Sequence, residues 1–290
     1  KDKSFSFMVI GDTAYNVPDD YPRYDALIRQ INKGRHKFTI HIGDTKNGHS
    51  TCSDARQLEI KSWFDKYRKP VIYTPGDNEW TDCWRPGIGE DPLQRLAAIR
   101  RIFFSDAQGL GQKSIKLKRQ SDVSGFTDYV ENQRWSRGRA QFATVHVVGS
   151  LNNLRLPGEA EASDEANAAW LGDTVTMAKK KNRKAVVIAL HANMFVAGDP
   201  LTGTFGSITR ILREKSKEFD GQILLIHGDT HRLIIDHPFT NLLTEAPVDG
   251  HVYENITRLE TPGAPFLRAA KVTVDTRTPA VFSFQEVFVP

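Results

Sequence analysis

The stretch Phe5-Ser6-Phe7-Met8-Val9-Ile10-Gly11-Asp12 decides the fold class, because its pattern of an apolar run followed by Gly-Asp recurs twice. Residues 38–42 are apolar apart from two positions and end in Gly43-Asp44, and residues 71–74 run into Pro75-Gly76-Asp77. The three aspartates are spaced 32 and 33 residues apart, which is the size of a βαβ unit. The repeat predicts an α/β protein whose first strands are parallel.

The segments around these strands carry helical and strand patterns. We expect helices over residues 24–31, 55–67, 92–104, 161–181 and 207–219. We expect buried strands over residues 142–148, 185–190 and 223–226, and antiparallel strands in the tail 256–289, where polar and apolar residues alternate. No low-complexity linker divides the chain, so the sequence predicts one domain over residues 1–290.

The composition excludes several classes of protein. Hydrophobic residues make up 39% and charged residues 26% of the 290 residues, which excludes disordered, collagen-like and coiled-coil chains. The apolar runs are too short to span a bilayer, so we expect no membrane partner. A net charge of +4 suits an anionic substrate, but a nucleic-acid partner is disfavoured because the basic run at residues 179–184 is explained by a solvated helix end.

Polar side chains follow each predicted core strand. They are Asp12, Asp44, Asp77, His191, Asp229 and His231. Ligands of open α/β sheets bind beyond the carboxyl ends of the strands, and four carboxylates gathered there repel one another unless cations lie among them. Aspartate oxygens and histidine nitrogens suit magnesium or first-row divalent metals. The sequence therefore predicts a site for two divalent ions bridged by Asp44, of the kind that activates hydroxide for displacement at phosphorus.

The same motifs resemble those of the calcineurin-like metallophosphoesterase superfamily, which includes the purple acid phosphatases. The usual order there is Asp-x-His, Gly-Asp, Gly-Asn-His-Glu or Asp, a lone His and Gly-His-x-His. The corresponding stretches are residues 11–15, 43–44, 76–79, 191 and 228–231. Residues 74–84 resemble bacterial, mostly exported members. The resemblance implies a four-layer α/β sandwich of two mixed β-sheets flanked by helices, with the metals at one edge.

The resemblance also implies ligand sets. A first ion would take Asp12, Asp44 and His231, and a second would take Asp44, Asp77, His191 and Asp229. Ala14 stands where the family usually has a histidine ligand, and Tyr15 is the nearest substitute. Asp77 and Asp229 replace Asn and His, which favours harder ions such as manganese, magnesium or calcium, with iron and zinc left open.

The resemblance leaves the catalytic acid undetermined. Asn78 replaces the histidine that usually assists the leaving group, so this role is vacant or is filled by His41, His49 or His227. Each of these three histidines has a structural or surface role as its alternative.

A rim for the substrate is also expected. Its candidate residues are Tyr15, Lys46, Asn47 and Arg85, with Arg85 as a bidentate phosphate clamp. The alternatives are a solvated loop at Lys46 and Asn47, and a packed pair of tryptophans at Trp80 and Trp84.

The leading interpretation is a metal-dependent phosphoesterase that hydrolyses a small phosphate ester by a metal-bound hydroxide. One alternative is a catalytically impaired protein that keeps a metal or phosphate pocket, which the residues Ala14 and Asn78 favour. Another is a phosphodiesterase acting on nucleic acid. Residues 11–16 lack Gly-x-Gly-x-x-Gly, and no Gly-x-Ser-x-Gly occurs, which argues against a dinucleotide-binding oxidoreductase and a serine hydrolase.

Two cysteines, Cys52 and Cys83, each follow a Gly-Asp strand end. A disulfide between them would stabilise the fold by about 3–4 kcal/mol, and the alternative is two free thiols of a cytosolic protein. No apolar signal segment precedes the first strand. We therefore expect a secreted or periplasmic chain whose signal segment has been removed.

Overall fold

The computed structural model describes residues 4–196, 201–241, 244 and 246–289. The strands in these ranges are β1 (Phe5–Ile10), β2 (Thr39–His41), β3 (Val71–Tyr73), β4 (Lys118–Arg119), β5 (Gln133–Arg137), β6 (Ala140–Thr144), β7 (Ala185–Ala189), β8 (Gln222–His227), β9 (Ile234–Asp236), β10 (Ile256–Glu260), β11 (Arg268–Val274) and β12 (Phe282–Phe288). The helices are α1 (Tyr21–Lys33), α2 (Asp54–Phe64), α3 (Pro92–Phe103), α4 (Pro157–Lys180) and α5 (Gly206–Lys217). Short 3₁₀ turns lie at Thr81–Trp84 and Gln120–Asp122, and residues 150–153 form a left-handed turn.

The strands form two mixed sheets. The five-stranded sheet has the order β12-β11-β1-β2-β3, and the seven-stranded sheet has the order β4-β5-β6-β7-β8-β10-β9. Strands β1, β2 and β3 are parallel, as the Gly-Asp repeat predicts. The prediction of an antiparallel tail is correct for β11 and β12 and only half correct for β10, which pairs antiparallel with β9 but parallel with β8. Alternating residues show that one face of a strand is buried, but they do not reveal the direction of its neighbour.

Successive residues of each core strand face different layers. Phe7 and Val9 pack between the two sheets, whereas Met8 and Ile10 pack against α1, α2 and α3. On the other sheet, alternate residues of β7 and β8 pack against α4 and α5. Three apolar layers therefore separate four layers of secondary structure, and the expected sandwich of two mixed sheets flanked by helices is confirmed.

Local sequence signals explain where several helices begin. The side chain of Ser53 accepts a hydrogen bond from the Arg56 amide before α2, and Asp91 accepts one from the Gln94 amide before α3. Helix α4 begins at Pro157, because proline has no amide hydrogen to lose in the first helical turn. No described helix combines the length and the apolar character that crossing a bilayer requires.

The predicted disulfide is present. Cys52 and Cys83 are bonded, with their Cα atoms 6.0 Å apart, and both side chains are buried. The bond joins the loop that follows β2 to the 3₁₀ turn that follows β3. It therefore fixes two of the loops at the carboxyl edge of the five-stranded sheet.

Candidate metal centre

The structure brings together the six residues that the sequence predicts as metal ligands. They are Asp12, Asp44, Asp77, His191, Asp229 and His231. The first three follow the parallel strands β1, β2 and β3, and the last three follow β7 and β8. The cluster therefore lies where the carboxyl ends of strands from both sheets meet.

His191 lies at the middle of the cluster. Its Nε2 atom is 3.0 Å from Asp77 Oδ1 and 3.4 Å from Asp44 Oδ1, and its Nδ1 atom donates to the carbonyl of Ile42 at 2.9 Å. Two sets of three ligand atoms, Asp12 with Asp44 and His191, and Asp77 with His191 and Asp229, lie within 4.8 Å of one another. The hydrogen bond at Nδ1 orients the ring so that Nε2 faces the carboxylates.

Three buried atoms of the cluster, Asp12 Oδ2, Asp77 Oδ1 and His191 Nε2, make no hydrogen bond of ordinary geometry, although the last two form an ion pair at 3.0 Å. Buried polar atoms almost always make hydrogen bonds, so atoms that lack them need an explanation. Carboxylate oxygens and an imidazole nitrogen are ligands of divalent cations. The donor set therefore fits a bound divalent cation.

His231 and Tyr15 form the second side of the cluster. His231 Nε2 lies 3.4 Å from Asp12 Oδ1 and 3.5 Å from the Tyr15 hydroxyl, while its Nδ1 donates to the carbonyl of Ala264 at 2.8 Å. The Tyr15 hydroxyl donates to Asp44 Oδ2 at 2.8 Å. Ala14 instead packs into the apolar layer under α1. Tyr15 thus places an oxygen in the region where the family pattern has a histidine.

The backbone of the cluster is strained. Asp12, Asp44, Asp229 and His231 have φ values of 52°, 50°, 74° and 63°, in the left-handed region that side chains disfavour. Gly76 allows one of these bends, because a Cβ atom there would lie 2.6 Å from the backbone nitrogen of Asp44. Such strain concentrates at functional sites, where the surrounding structure holds it.

The carboxylates and the imidazole change one another's protonation. Burial, followed by the charges of Asp77, Glu79 and Asp12, raises the pKa of Asp44 well above its usual range despite His191. Burial opposes ionisation of Asp77 too, but the contact with His191 outweighs it and lowers the pKa to about 2. Burial lowers the pKa of His191, but the nearby carboxylates, above all Asp44, raise it by more. The net result is a pKa well above the usual value for histidine. A divalent cation would displace the proton that the carboxylates otherwise hold on His191.

Asn78 contacts the proposed bridging carboxylate directly. Its backbone nitrogen donates to Asp44 Oδ1 at 3.0 Å, and its side-chain nitrogen donates to Asp44 Oδ2 at 2.5 Å and to the Tyr15 hydroxyl at 3.1 Å. These bonds orient the carboxylate, and the amide has no acidic proton to give to a leaving group.

The structure does not bring His41 or His227 into the cluster. The His41 ring packs against Phe64 and Tyr73, and its Nδ1 accepts a hydrogen bond from the Gly43 amide at 3.2 Å. The His227 ring lies near Phe195 on the helix side of the other sheet. Burial lowers the pKa of each histidine to about 3, so neither is a proton donor at neutral pH.

The predicted rim residues differ in exposure. Lys46 is fully buried, and its Nζ donates to the carbonyl of Asn47 at 2.9 Å. The Asn47 side chain donates to the carbonyl of Tyr15 at 2.8 Å, so it holds the two loops together. Arg85 is partly exposed, pairs with Asp82 at 2.5 Å and donates to the carbonyl of Gly48 at 3.3 Å. Among Lys46, Asn47 and Arg85, therefore, Arg85 is the residue whose charged side chain reaches solvent.

The sequence interpretation missed several residues at the centre. Ser150 Oγ lies 2.9 Å from Asp77 Oδ2 and 2.8 Å from Asp82 Oδ1. Burial, followed by the charge of Asp77, raises the pKa of Asp82 to about 6. The Asn193 amide donates to Asp229 Oδ2 at 3.0 Å. The sequence does contain one indication of Ser150. Gly149 directly follows the predicted strand 142–148, just as a glycine follows the strands that end in Gly-Asp.

Solved structures of known proteins share this fold. A dimetal phosphatase from Danio rerio is 12% identical and matches over 99% of each chain with a TM-score of 0.58. GAP50, described as the anchor in the inner membrane complex of Plasmodium, is 11% identical over 99% of this chain and 89% of its own, with a TM-score of 0.56. The purple acid phosphatase PPD1 from seeds of yellow lupin (Lupinus luteus) is 11% identical, with a TM-score of 0.55.

The match to the lupin enzyme covers 99% of this chain but 54% of that protein, so the chain spans about half of its length. No protein-family model and no curated protein matches the sequence. At these identities the likeness concerns the fold, and it agrees with the resemblance seen in the strand-end motifs. The chain therefore has the metallophosphoesterase fold.

Proposed function

We propose that this chain is a metal-dependent phosphoesterase that hydrolyses small phosphate esters at the strand-end cluster. The observation that carries the proposal is the convergence of buried ligand atoms: Asp12, Asp44 and His191 form one set of three within 4.8 Å, and Asp77, His191 and Asp229 form another. The similarity to a dimetal phosphatase and a purple acid phosphatase supports it at the level of the fold.

The proposed site holds up to two divalent ions. The ligands are those predicted from the sequence, with the Tyr15 oxygen beside the first set in place of the missing histidine. Bound cations supply Lewis acidity toward phosphoryl oxygens and toward water. The harder ions manganese, magnesium and calcium suit a cluster in which four of the ligands are carboxylates.

The residues of the chain have separate roles in this proposal. Asn78 holds both oxygens of Asp44 in position, and Arg85 offers a guanidinium at the rim to the phosphoryl group. Hydrolysis forms a bond from water oxygen to phosphorus, breaks the bond to the alcohol and returns one proton to that alcohol. Because Asn78 cannot supply this proton, esters of acidic alcohols should react fastest.

A second candidate function is a metal-binding protein without turnover. The similarity to GAP50 is relevant because that protein is described as an anchor, so this fold also occurs in a protein that is not described as an enzyme. Ala14 and Asn78 are consistent with it, since both lack groups that the family pattern uses. The two candidates agree on metal binding and differ in phosphate release.

The test measures binding and turnover separately. Protein stripped with a chelator is titrated with Mn²⁺, Mg²⁺ and Ca²⁺ by calorimetry, and phosphate release from 4-nitrophenyl phosphate is then followed for each loaded form. We expect Asp44→Asn to lower turnover at least about 100-fold and to weaken metal binding, since ligand changes exceed the effect of supporting residues. Asp275→Asn, in the turn after β11, serves as the matched control because Asp275 pairs with Arg277 away from the cluster.

The outcomes separate the candidates. Metal binding with turnover that Asp44→Asn abolishes supports the phosphoesterase. Metal binding without turnover of 4-nitrophenyl phosphate supports the second candidate. Absence of metal binding, or equal turnover in the wild type and Asp44→Asn, contradicts the proposed site.

A further inference from the structure

The chain between β6 and α4 passes the metal centre as a left-handed turn. Ser150, Leu151, Asn152 and Asn153 have φ values of 48°, 55°, 51° and 59°. Asparagine tolerates this conformation, but leucine rarely adopts it because its Cβ approaches the backbone carbonyl. When the surrounding structure holds a leucine at a positive φ, we infer that the position of the leucine side chain has a functional role.

Contacts at both ends hold the turn against the metal centre. Ser150 Oγ reaches Asp77 and Asp82, and Thr81 Oγ1 donates to Asn153 Oδ1 at 2.6 Å. Before the turn, Gly149 leaves no room for a side chain, because a Cβ there would lie 2.5 Å from Asp77 Oδ1. The turn is therefore fixed both to a proposed metal ligand and to the 3₁₀ turn Thr81–Trp84.

Two large apolar side chains on the segments that these contacts join are partly exposed. Leu151 is 49% exposed, although the residue before it contacts Asp77. Trp84, at the end of the 3₁₀ turn that carries Asp82, is 40% exposed, and the guanidinium of Arg155 lies 3.7 Å from the centre of its ring. We call Leu151 and Trp84 the apolar rim.

We propose that the apolar rim receives the leaving group of the substrate, and that the preferred substrates are phosphate esters of aromatic alcohols. This inference rests on the proposed function of the same site. An aromatic leaving group would bury the exposed surface of Leu151 and Trp84 beside an otherwise charged cluster. A phenol also departs without the proton that Asn78 cannot supply, so the rim and the amide favour the same substrate class.

The first experiment uses Leu151→Gly in the manganese-loaded protein. Glycine adopts a positive φ freely, so this variant keeps the turn while it removes the side chain. We expect an unchanged or higher Tm, a loss of about 10-fold in kcat/KM for phenyl phosphate, and a much smaller loss for glycerol 2-phosphate. Leu93→Ala is the control for losing an exposed leucine, because Leu93 is 47% exposed on α3.

A second measurement does not depend on turnover. The binding of phenylphosphonate and methylphosphonate to the manganese-loaded wild type and Leu151→Gly is compared by calorimetry. We expect the wild type to prefer phenylphosphonate and the variant to lose most of this preference. Failure of all ester hydrolysis would refute the proposed function, while this comparison would still test the rim.

Three results would overturn the inference. The first is an equal effect of Leu151→Gly on both esters and both phosphonates. The second is a lower Tm with a uniform loss of activity, which would show that Leu151 only supports the fold. The third is no preference of the wild type for the aromatic phosphonate, or no binding of either phosphonate.

Discussion

The disulfide between Cys52 and Cys83 allows a stability prediction whose size follows from the structure. The two cysteines are separated by 31 residues. In the chain-entropy model, closing a loop of this length removes enough freedom from the unfolded chain to stabilise the fold by about 3.7 kcal/mol. Breaking the bond should therefore lower Tm by about 6 °C, because a chain of this size has an unfolding entropy of about 0.6 kcal/mol/K.

The same change should disturb the metal centre. Cys83 belongs to the 3₁₀ turn that carries Asp82, and Cys52 Sγ lies 3.7 Å from the carbonyl of Asn78. Without the bond, the loops that position Asn78 and Asp82 lose their covalent link and keep weaker contacts, such as the hydrogen bond from Arg85 to the carbonyl of Gly48. We expect weaker Mn²⁺ binding in the reduced protein than in the oxidised protein.

The assay is thermal unfolding of the wild type with and without a phosphine reductant, with Cys52→Ala/Cys83→Ala as the control. The control should unfold at the lower temperature under both conditions, since it has no bond to reduce. A wild type whose Tm stays within about 2 °C on full reduction would refute the entropy argument. Two free thiols in unreduced, denatured protein would refute the bond itself.

Two further predictions concern buried polar groups. Glu131→Gln should lower the free energy of unfolding by about 3 kcal/mol in urea titrations, because the buried carboxylate of Glu131 pairs with Arg100 at 2.7 Å and with His146 at 2.9 Å; an unchanged midpoint would contradict this. Burial lowers the pKa of His41 from 6.5 to about 3, so its neutral form stabilises the fold fully above pH 6.5 and this contribution is lost as the pH falls toward 3. Between pH 7 and 5 the wild type should lose about 2 kcal/mol more than His41→Asn, and equal pH dependence would contradict the prediction.

The sequence predicted that the strand-end side chains would lie together, because parallel strands of a βαβ repeat must end at the same edge. Asp12, Asp44 and Asp77 needed only the Gly-Asp pattern and its spacing to be placed together. This placement did not require the exact last residue of each strand. The Gly-Asp pair follows the strand in each case, so the aspartate lies at the sheet edge even if the strand ends a residue earlier or later. The strands β4, β5 and β9 escaped prediction because they are short or largely polar, as in Gln133–Arg137.

Two histidines show where a simple rule was available but not applied. Ile40 and Ile42 face the layer between the sheets, so His41 must face the helices, away from that layer. The same alternation sends His227 to the helix side after Ile226. Spacing along a strand thus indicates the direction of a side chain, even where its residue type favours catalysis.

Other features of the site were beyond the sequence. Lys46 is fully buried although lysine is usually exposed, and no local sequence pattern encodes that burial. The contact of Ser150 with Asp77 depends on a left-handed turn that includes a leucine, a residue type that predicts a different conformation. Contacts of this kind are set by tertiary structure, which overrides the local preference.

The strain and the charge of the cluster together support a bound cation over a structural remnant. Four residues of the cluster have a left-handed backbone, whose cost in free energy the surrounding structure must offset. Asp44 is also buried among like charges, which raises its pKa and makes its ionised form unfavourable without a cation. A protein that no longer bound metal would gain stability from replacing such an aspartate with a neutral residue. Because both penalties fall on the same few residues, a cation that offsets them explains the cluster better than packing does.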